Sequence, residues 1–263
     1  MGHLIRVPTN GSDEMYKAIT FDFWDTLVHD ESDEPKRAAR GLAPKGEARR
    51  ACFHEEIAAH HPELTAQTID TAYDGAADWA RQRWKTDYVT PSVAQRLAEG
   101  YRRLAIAPTP GFTALVEVFE FMEVDIPPNW VAGVDEALGA LAKDYRLGII
   151  SDTIITPGRG LMRLLRESDL LRHFTPEGLI FSDEAGNSKP SPNVFSLACK
   201  GLGVEAHELI HVGDREVNDI AGPKALGMGA VLYTGAKDRG GETVADAVCK
   251  HMAQLPQIVA GLK

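Results

Sequence analysis

The feature that most limits how this chain can fold is a series of short apolar runs that alternates with amphipathic segments from Pro127 onward. Residues 146–150, 178–181, 209–212 and 229–233 are four or five residues long and rich in Val, Ile, Leu and aromatic side chains. That is the pattern of strands buried on both faces. Between them Val134, Ala137, Leu138 and Leu141 recur at helical spacing, and helices are predicted over 158–171, 192–201 and 217–226. A fifth apolar run, Ala18-Ile19-Thr20-Phe21, precedes them near the N-terminal end. Strands alternating with helices require right-handed crossovers, hence an α/β fold with a doubly wound, Rossmann-like parallel sheet and helices on both faces. In such a sheet function gathers at the carboxyl ends of the strands.

One segment breaks the alternation. Residues 28–36 are charged, contain Pro35 and read as a linker leaving the first strand. From about Pro44 to Glu123 the periodicity is purely helical: Ile69, Tyr73, Ala76, Ala80 and Trp84 share one face, and Val93, Leu97, Tyr101 and Leu104 another. Pro91 and Pro110 sit near helix starts. At 263 residues the chain suits one core domain with a sizeable insertion. We read residues 1–28 and 124–263 as the core and 29–123 as three or four inserted helices.

Composition then excludes several roles. Hydrophobic residues at 44% supply a proper core, while a formal charge of −10 argues against nucleic acid or an anionic membrane as partner. Cys52, Cys199 and Cys249 are odd in number and widely spaced, so buried free thiols in a reducing compartment are expected rather than disulfides or a zinc site. Residues 1–15 are polar, without the apolar segment of a signal peptide, and no run approaches the ~18 residues of a membrane span. A cytoplasmic protein is expected. Its oligomeric state is not legible.

Polar residues follow the predicted strands in a definite order: Asp22, then Ser151-Asp152-Thr153, then Asp214, with Lys189 in the loop between the third and fourth strands. The segments Asp22-Phe23-Trp24-Asp25-Thr26, Ile150-Ser151-Asp152, Ser188-Lys189-Pro190 and Gly213-Asp214-Arg215-Glu216-Val217-Asn218-Asp219 stand in the order of the four motifs of the haloacid dehalogenase-like hydrolases. The chain resembles that superfamily over its whole core, and the insertion resembles the helical cap of one of its large branches.

A carboxylate at a strand end can form a covalent intermediate and split one hard displacement into two easier ones; Asp22 is the candidate nucleophile. Asp214 and Asp219 would bring further carboxylates to it, and such a set calls for a divalent cation, for which Mg2+ suits an all-oxygen environment. Asp219 is read as a ligand or as a support beneath one. Lys189, in a loop carrying Pro190 and Pro192, can neutralise the nucleophile and a phosphoryl group. The resemblance adds that Ser151 and the backbone N–H of Asp152 bind phosphate, and that the main-chain carbonyl at Trp24 joins the metal ligands. A small phosphorylated substrate is implied.

Trp24 departs from the family's phosphatases, which carry an aspartate there to protonate the leaving oxygen. Asp25 is one replacement, and His54, Glu55, His60 or His61 of the insertion are others; a substrate with a good leaving group needs none. Family dehalogenases also hold a non-acidic residue at this place but lack the first acid of the fourth motif, which Asp214 supplies here. Phosphonate-cleaving relatives require a cap lysine, for which Lys36, Lys45 and Lys85 are equivalent in sequence. A binding protein that has lost turnover is the third class. Trp79, Trp84, Arg49, Arg50, Arg81 and Arg83 are candidate substrate contacts of the helical unit, each equally readable as a core or solvated helix residue. Gly222, Gly227 and Gly229 read as turn and packing glycines rather than a dinucleotide fingerprint.

Overall fold

The computed structural model describes residues 16–262; the polar N-terminal stretch lies outside the described residues. Six parallel strands form one sheet: β1 (Ala18–Phe21), β4 (Arg146–Ser151), β5 (Leu179–Phe181), β6 (Leu209–Gly213), β7 (Gly229–Tyr233) and β8 (Ala247–Cys249). Their order is β5-β4-β1-β6-β7-β8, so β1 lies between β4 and β6 and the chain winds outward in both directions. Asp22, Asp152 and Asp214 follow the ends of these three central neighbours. The core is α/β, as the alternation requires. Helices α6 (Val134–Leu141) and α7 (Gly158–Glu167) pack Leu138, Leu141, Leu161, Leu164 and Leu165 against Ile19, Phe21 and Ile149. Helix α9 (Pro192–Leu202) packs Val194, Phe195 and Ala198 with Ala18, Ile150 and Leu209, while the short α8 (Ser182–Ala185) extends β5. Close approach decides one glycine: a Cβ at Gly201 would lie 1.8 Å from the Glu177 carbonyl oxygen. Only hydrogen lets α9 settle there.

Between β1 and β4 the chain leaves the sheet. The predicted linker holds a short strand, β2 (Val28–His29), and the start of α1 (Glu34–Ala39). β2 pairs antiparallel with β3 (Asn129–Trp130), so the segment departs and returns side by side. Two-residue strands have no periodicity to read, which is why they are absent from the sequence expectation. The inserted helices are α2 (Lys45–His60), α3 (Ala66–Asp87), α4 (Val93–Arg103) and α5 (Phe112–Asp125). Thr65 caps α3 through its side chain, and Ser92 with Gln95 forms a capping box on α4. Phe53, Ile57, Ile69, Tyr73, Leu97, Tyr101 and Phe119 form a core separate from that of the sheet. The faces predicted for α3 and α4 are buried, except that Trp84 is half-buried and turned elsewhere.

Three expectations are corrected. The helix predicted over 217–226 is a π-helical turn, Glu216–Ala221, followed by the short α10 (Gly222–Lys224), because Pro223 has no N–H to continue an α ladder. The helix starting at Gly158 stops at Glu167, before Asp169 takes a left-handed conformation. Cys52 and Cys199 are half-buried rather than buried; Cys249 is buried, and all three are free thiols. The chain ends in β8 and α11 (Leu255–Ala260), and no described helix is long and apolar enough to cross a membrane.

Candidate functional site

Asp22, Asp214 and Asp219 converge at the strand ends, with one ligand oxygen from each within 4.8 Å of the others, and all three are buried. Lys189 lies among them, only 3% exposed, and its Nζ donates to Asp22 Oδ1 and to Asp219 Oδ1, both at 2.6 Å. Burial pushes Asp22 up despite Lys189, with the Asp219 and Asp214 charges adding. Burial works against the Lys189 charge too, but Asp219 and Asp22 overcome it and hold the ammonium above its ordinary range. Lys189 therefore stays a cation.

Asp219 is the organising member. Its Oδ1 also meets His211 Nε2 at 3.2 Å, and its Oδ2 accepts from the Arg215 backbone N–H at 2.9 Å. A carboxylate can only accept, so His211 carries its proton on Nε2 and takes the Thr20 hydroxyl at Nδ1, 2.9 Å away. Burial lowers the His211 pKa, which keeps the ring neutral. Gly213 makes room for this arrangement, since a Cβ there would fall 2.4 Å from the Asp219 carboxyl carbon. With both oxygens engaged, Asp219 serves chiefly to fix Lys189 from below. Asp214 differs: Oδ2 accepts from Arg239 Nε at 2.5 Å, but Oδ1 is buried without a partner. An orphaned buried carboxylate oxygen beside Asp22 fits a divalent cation.

Ser151 Oγ is likewise buried and unpartnered. Asp152 joins the loops around it, its Oδ1 accepting from the Lys189 N–H at 2.9 Å and its Oδ2 from Trp84 Nε1 at 3.1 Å and Asn218 Nδ2 at 3.3 Å. The indole that periodicity assigns to the α3 core thus ties the helical unit to the sheet.

A cavity of about 160 Å³ opens over Asp22 and Lys189, walled by Trp24, Trp84, Ile154 and Ile155. Trp24 packs edge-on against Phe23 at 5.1 Å, leaving its ring as a wall. Asp25 does not line this cavity: Oδ2 accepts from Arg239 Nη2 at 3.1 Å and Oδ1 from the Asp30 N–H at 3.1 Å. The histidines of the helical unit lie elsewhere, His54 against Asp70, His60 against Glu56 and His61 against Glu63, and Glu55 is also outside the lining. Two carboxylates that the sequence does not single out do reach the cavity, Asp30 and Glu123. Burial alone would raise Glu123, but Arg49 and Lys45 hold it below the ordinary carboxylate range. Asp30, exposed at the mouth, has no cationic partner within ion-pair distance among the described residues. Loss of water against the pocket walls and the Glu123 charge push its carboxyl up, with Lys45 opposing. Of the three lysines considered, Lys45 is locked between Asp33 and Glu123, Lys36 donates to the Pro127 carbonyl and Lys85 faces another cavity. Trp79 is half-buried, Arg50 pairs with Asp74 and Arg83 with Asp87; none of the three lines the site.

The profile of the haloacid dehalogenase-like hydrolases matches residues 16–227, from β1 through the motif-bearing turn after β6. The chain belongs to this hydrolase family. Among individual proteins, it is 40% identical over 91 residues to a glyceraldehyde 3-phosphate phosphatase of Pyrococcus abyssi, covering 34% of this chain and 35% of that one. The chain spans about half the length of the curated relatives it matches, or less. Solved members of similar fold include a HAD phosphatase from Thermococcus onnurineus, with TM-score 0.60, 20% identity and 93% and 98% of the two chains covered. An L-2-haloacid dehalogenase from Xanthobacter autotrophicus gives TM-score 0.57 at 16% identity over 95% and 100%. At these identities the likeness is one of fold.

Proposed function

We propose that this family member is a Mg2+-dependent hydrolase of a small phosphorylated compound that works through an aspartyl-phosphate on Asp22. The observation that carries the reading is the buried Asp22–Lys189–Asp219 unit with the unpartnered Asp214 Oδ1 beside it, under one small cavity. Asp22 Oδ attacks phosphorus; the O–P bond to Asp22 forms as the ester P–O bond breaks. Lys189 neutralises both the nucleophile and the phosphoryl oxygens, and Ser151 Oγ with the Asp152 N–H holds the latter. Asp22, Asp214 and the Trp24 carbonyl would hold the cation, with Asp219 beneath. When bound, it offsets the negative charge shared by carboxylate and phosphate. Residues 29–123 act as a cap that limits water access and bounds the substrate.

Asp30 takes the place of the missing acid in this reading. Trp24 cannot move a proton, Asp25 is tied to Arg239, and Glu123 is tied to Arg49 and Lys45. That leaves Asp30 at the cavity mouth to protonate the leaving oxygen and to take a proton from the water that releases phosphate. The absence of any helical-unit lysine from the described lining favours this over Schiff-base phosphonate cleavage, and Asp214 favours it over metal-free dehalogenation. The test is a panel of aryl and alkyl phosphates, phosphonates and haloacids with and without Mg2+. Phosphate release that Asp22→Asn and EDTA both abolish is expected. Halide or aldehyde release instead, or full phosphatase activity in EDTA, would overturn the proposal.

A further inference from the structure

Behind Trp84 lies a second cavity of about 300 Å³ that the chemistry above does not use. Arg81, Trp84 and Lys85 of α3 line it at helical spacing, Arg96 of α4 enters from the side, and the small Ala77 and Ala80 leave the space open. No carboxylate of the described residues lines it. In a chain with net charge −10, three cations around one concavity run against the background. The side chains of Arg96 and Lys85 make no hydrogen bond or ion pair among the described residues, and Arg81 has only an exposed contact with Asp78. Arg96 is half-buried; burial lowers its pKa, Tyr73 opposes this and Arg49 and Arg81 add to it, yet a guanidinium stays charged. A partly desolvated, unpaired arginine beside two like charges is a cost that an anion would relieve.

The two cavities share their dividing wall, Trp84 and Ile154. The indole is held there by Asp152, with the Arg215 guanidinium 5.8 Å from its ring on the catalytic side. A substrate with its phosphoryl group at Asp22 and a chain passing this wall would present its far end to Arg96 and Lys85.

We propose that this cavity is an anion subsite that binds a second negative group, a carboxylate or phosphate, on the far end of the substrate. The inference rests on the phosphatase reading for its first anchor. The test compares n-alkyl phosphates with ω-carboxyalkyl phosphates of equal length, two to six methylenes, on the wild type, Arg96→Gln, Arg96→Lys and Lys85→Gln. The carboxylate should raise kcat/KM at one chain length by about tenfold or more, mainly through KM. That preference should fall about tenfold in Arg96→Gln, less in Lys85→Gln, and survive in Arg96→Lys. Dissociation constants for the same pairs on Asp22→Asn, with and without Arg96→Gln, separate the two readings. No turnover of either series, with carboxylate-dependent binding that Arg96→Gln removes, would keep the subsite and sink the phosphatase. Equal kcat/KM and equal binding for both series would overturn the subsite. Arg96-dependent binding of inorganic sulfate that leaves alkyl phosphate binding unchanged would mean a separate anion, and would overturn the shared substrate.

Discussion

Lys189→Met isolates the charge balance of the site. Nζ lies 2.6 Å from carboxylate oxygens of Asp22 and Asp219, and oxygens of Asp22, Asp214 and Asp219 lie within 4.8 Å of one another. At an effective dielectric of about 20, two like charges at that separation repel by about 3.5 kcal/mol, and an ion pair at the Lys189 distance attracts by about 6 kcal/mol. The two lysine contacts therefore offset the mutual repulsion of three carboxylates. Desolvation and proton uptake cancel most of these gross figures, and removal of one partner from a buried pair costs about 3–5 kcal/mol in practice. Urea unfolding at pH 7 in chelator should show that loss. On the proposed reading Mg2+ would supply part of the missing charge, so titrating it in should stabilise the variant more than the wild type. Equal stability in chelator, or an equal response to Mg2+, would refute the charge-balance argument.

Asp30→Asn should slow alkyl phosphate hydrolysis by about 10²-fold, whereas p-nitrophenyl phosphate, whose leaving group needs no proton, should still give a rapid burst of one equivalent of nitrophenolate before a slowed steady state; Trp24→Asp in that background should restore the alkyl esters. A burst slowed as much as alkyl ester hydrolysis, or an unchanged steady state on both substrates, would remove Asp30 from proton transfer. Glu123→Gln leaves Arg49 without its carboxylate and weakens the hold on Lys45, at about 3 kcal/mol near neutral pH. Because Glu123 is depressed in the folded state, its contribution is present above the unfolded value of about 4.3 and is lost as pH falls through the folded pKa. The stability gap between wild type and variant should thus narrow in acid, and a gap unchanged from pH 7 to below that range would contradict the pairing. Gly201→Ala should lower the urea midpoint by a displacement worth about 1–3 kcal/mol, since the added methyl meets a backbone carbonyl that cannot rotate away. An unchanged midpoint would show that α9 has slack.

The residues that the motifs singled out, Asp22, Ser151, Asp152, Lys189, Asp214 and Asp219, gather at adjacent strand ends because β4, β1 and β6 are neighbours. For Asp22, Ser151, Asp152 and Asp214 the placement follows from chain-local signals, an apolar run long enough for a strand and then a polar residue at its end, whereas Lys189 and Asp219 lie further on, beyond α8 and in the π-helical turn. Asp30 and Glu123 carry no such signal. They reach the same cavity from either end of the inserted helices, where β2 and β3 pair side by side. Arg239 is equally silent in sequence. It crosses from the segment after β7 to meet Asp214 and Asp25, and in doing so withdraws Asp25 as a replacement acid. Trp84 satisfied the helical period of a core residue, yet its indole serves Asp152.

Alone, the amino-acid sequence determined the α/β class, the helical insertion, the nucleophile candidate and the absence of an acid at Trp24. Each depends on periodicity or on residue chemistry within a few positions, which backbone geometry converts directly into strands, helices and turns. Only the tertiary structure decided what surrounds Asp22, which carboxylates are free and which are neutralised, and that unpaired cations line a second cavity behind Trp84. Those properties depend on distance and loss of water between residues far apart in the chain, and folding alone sets both.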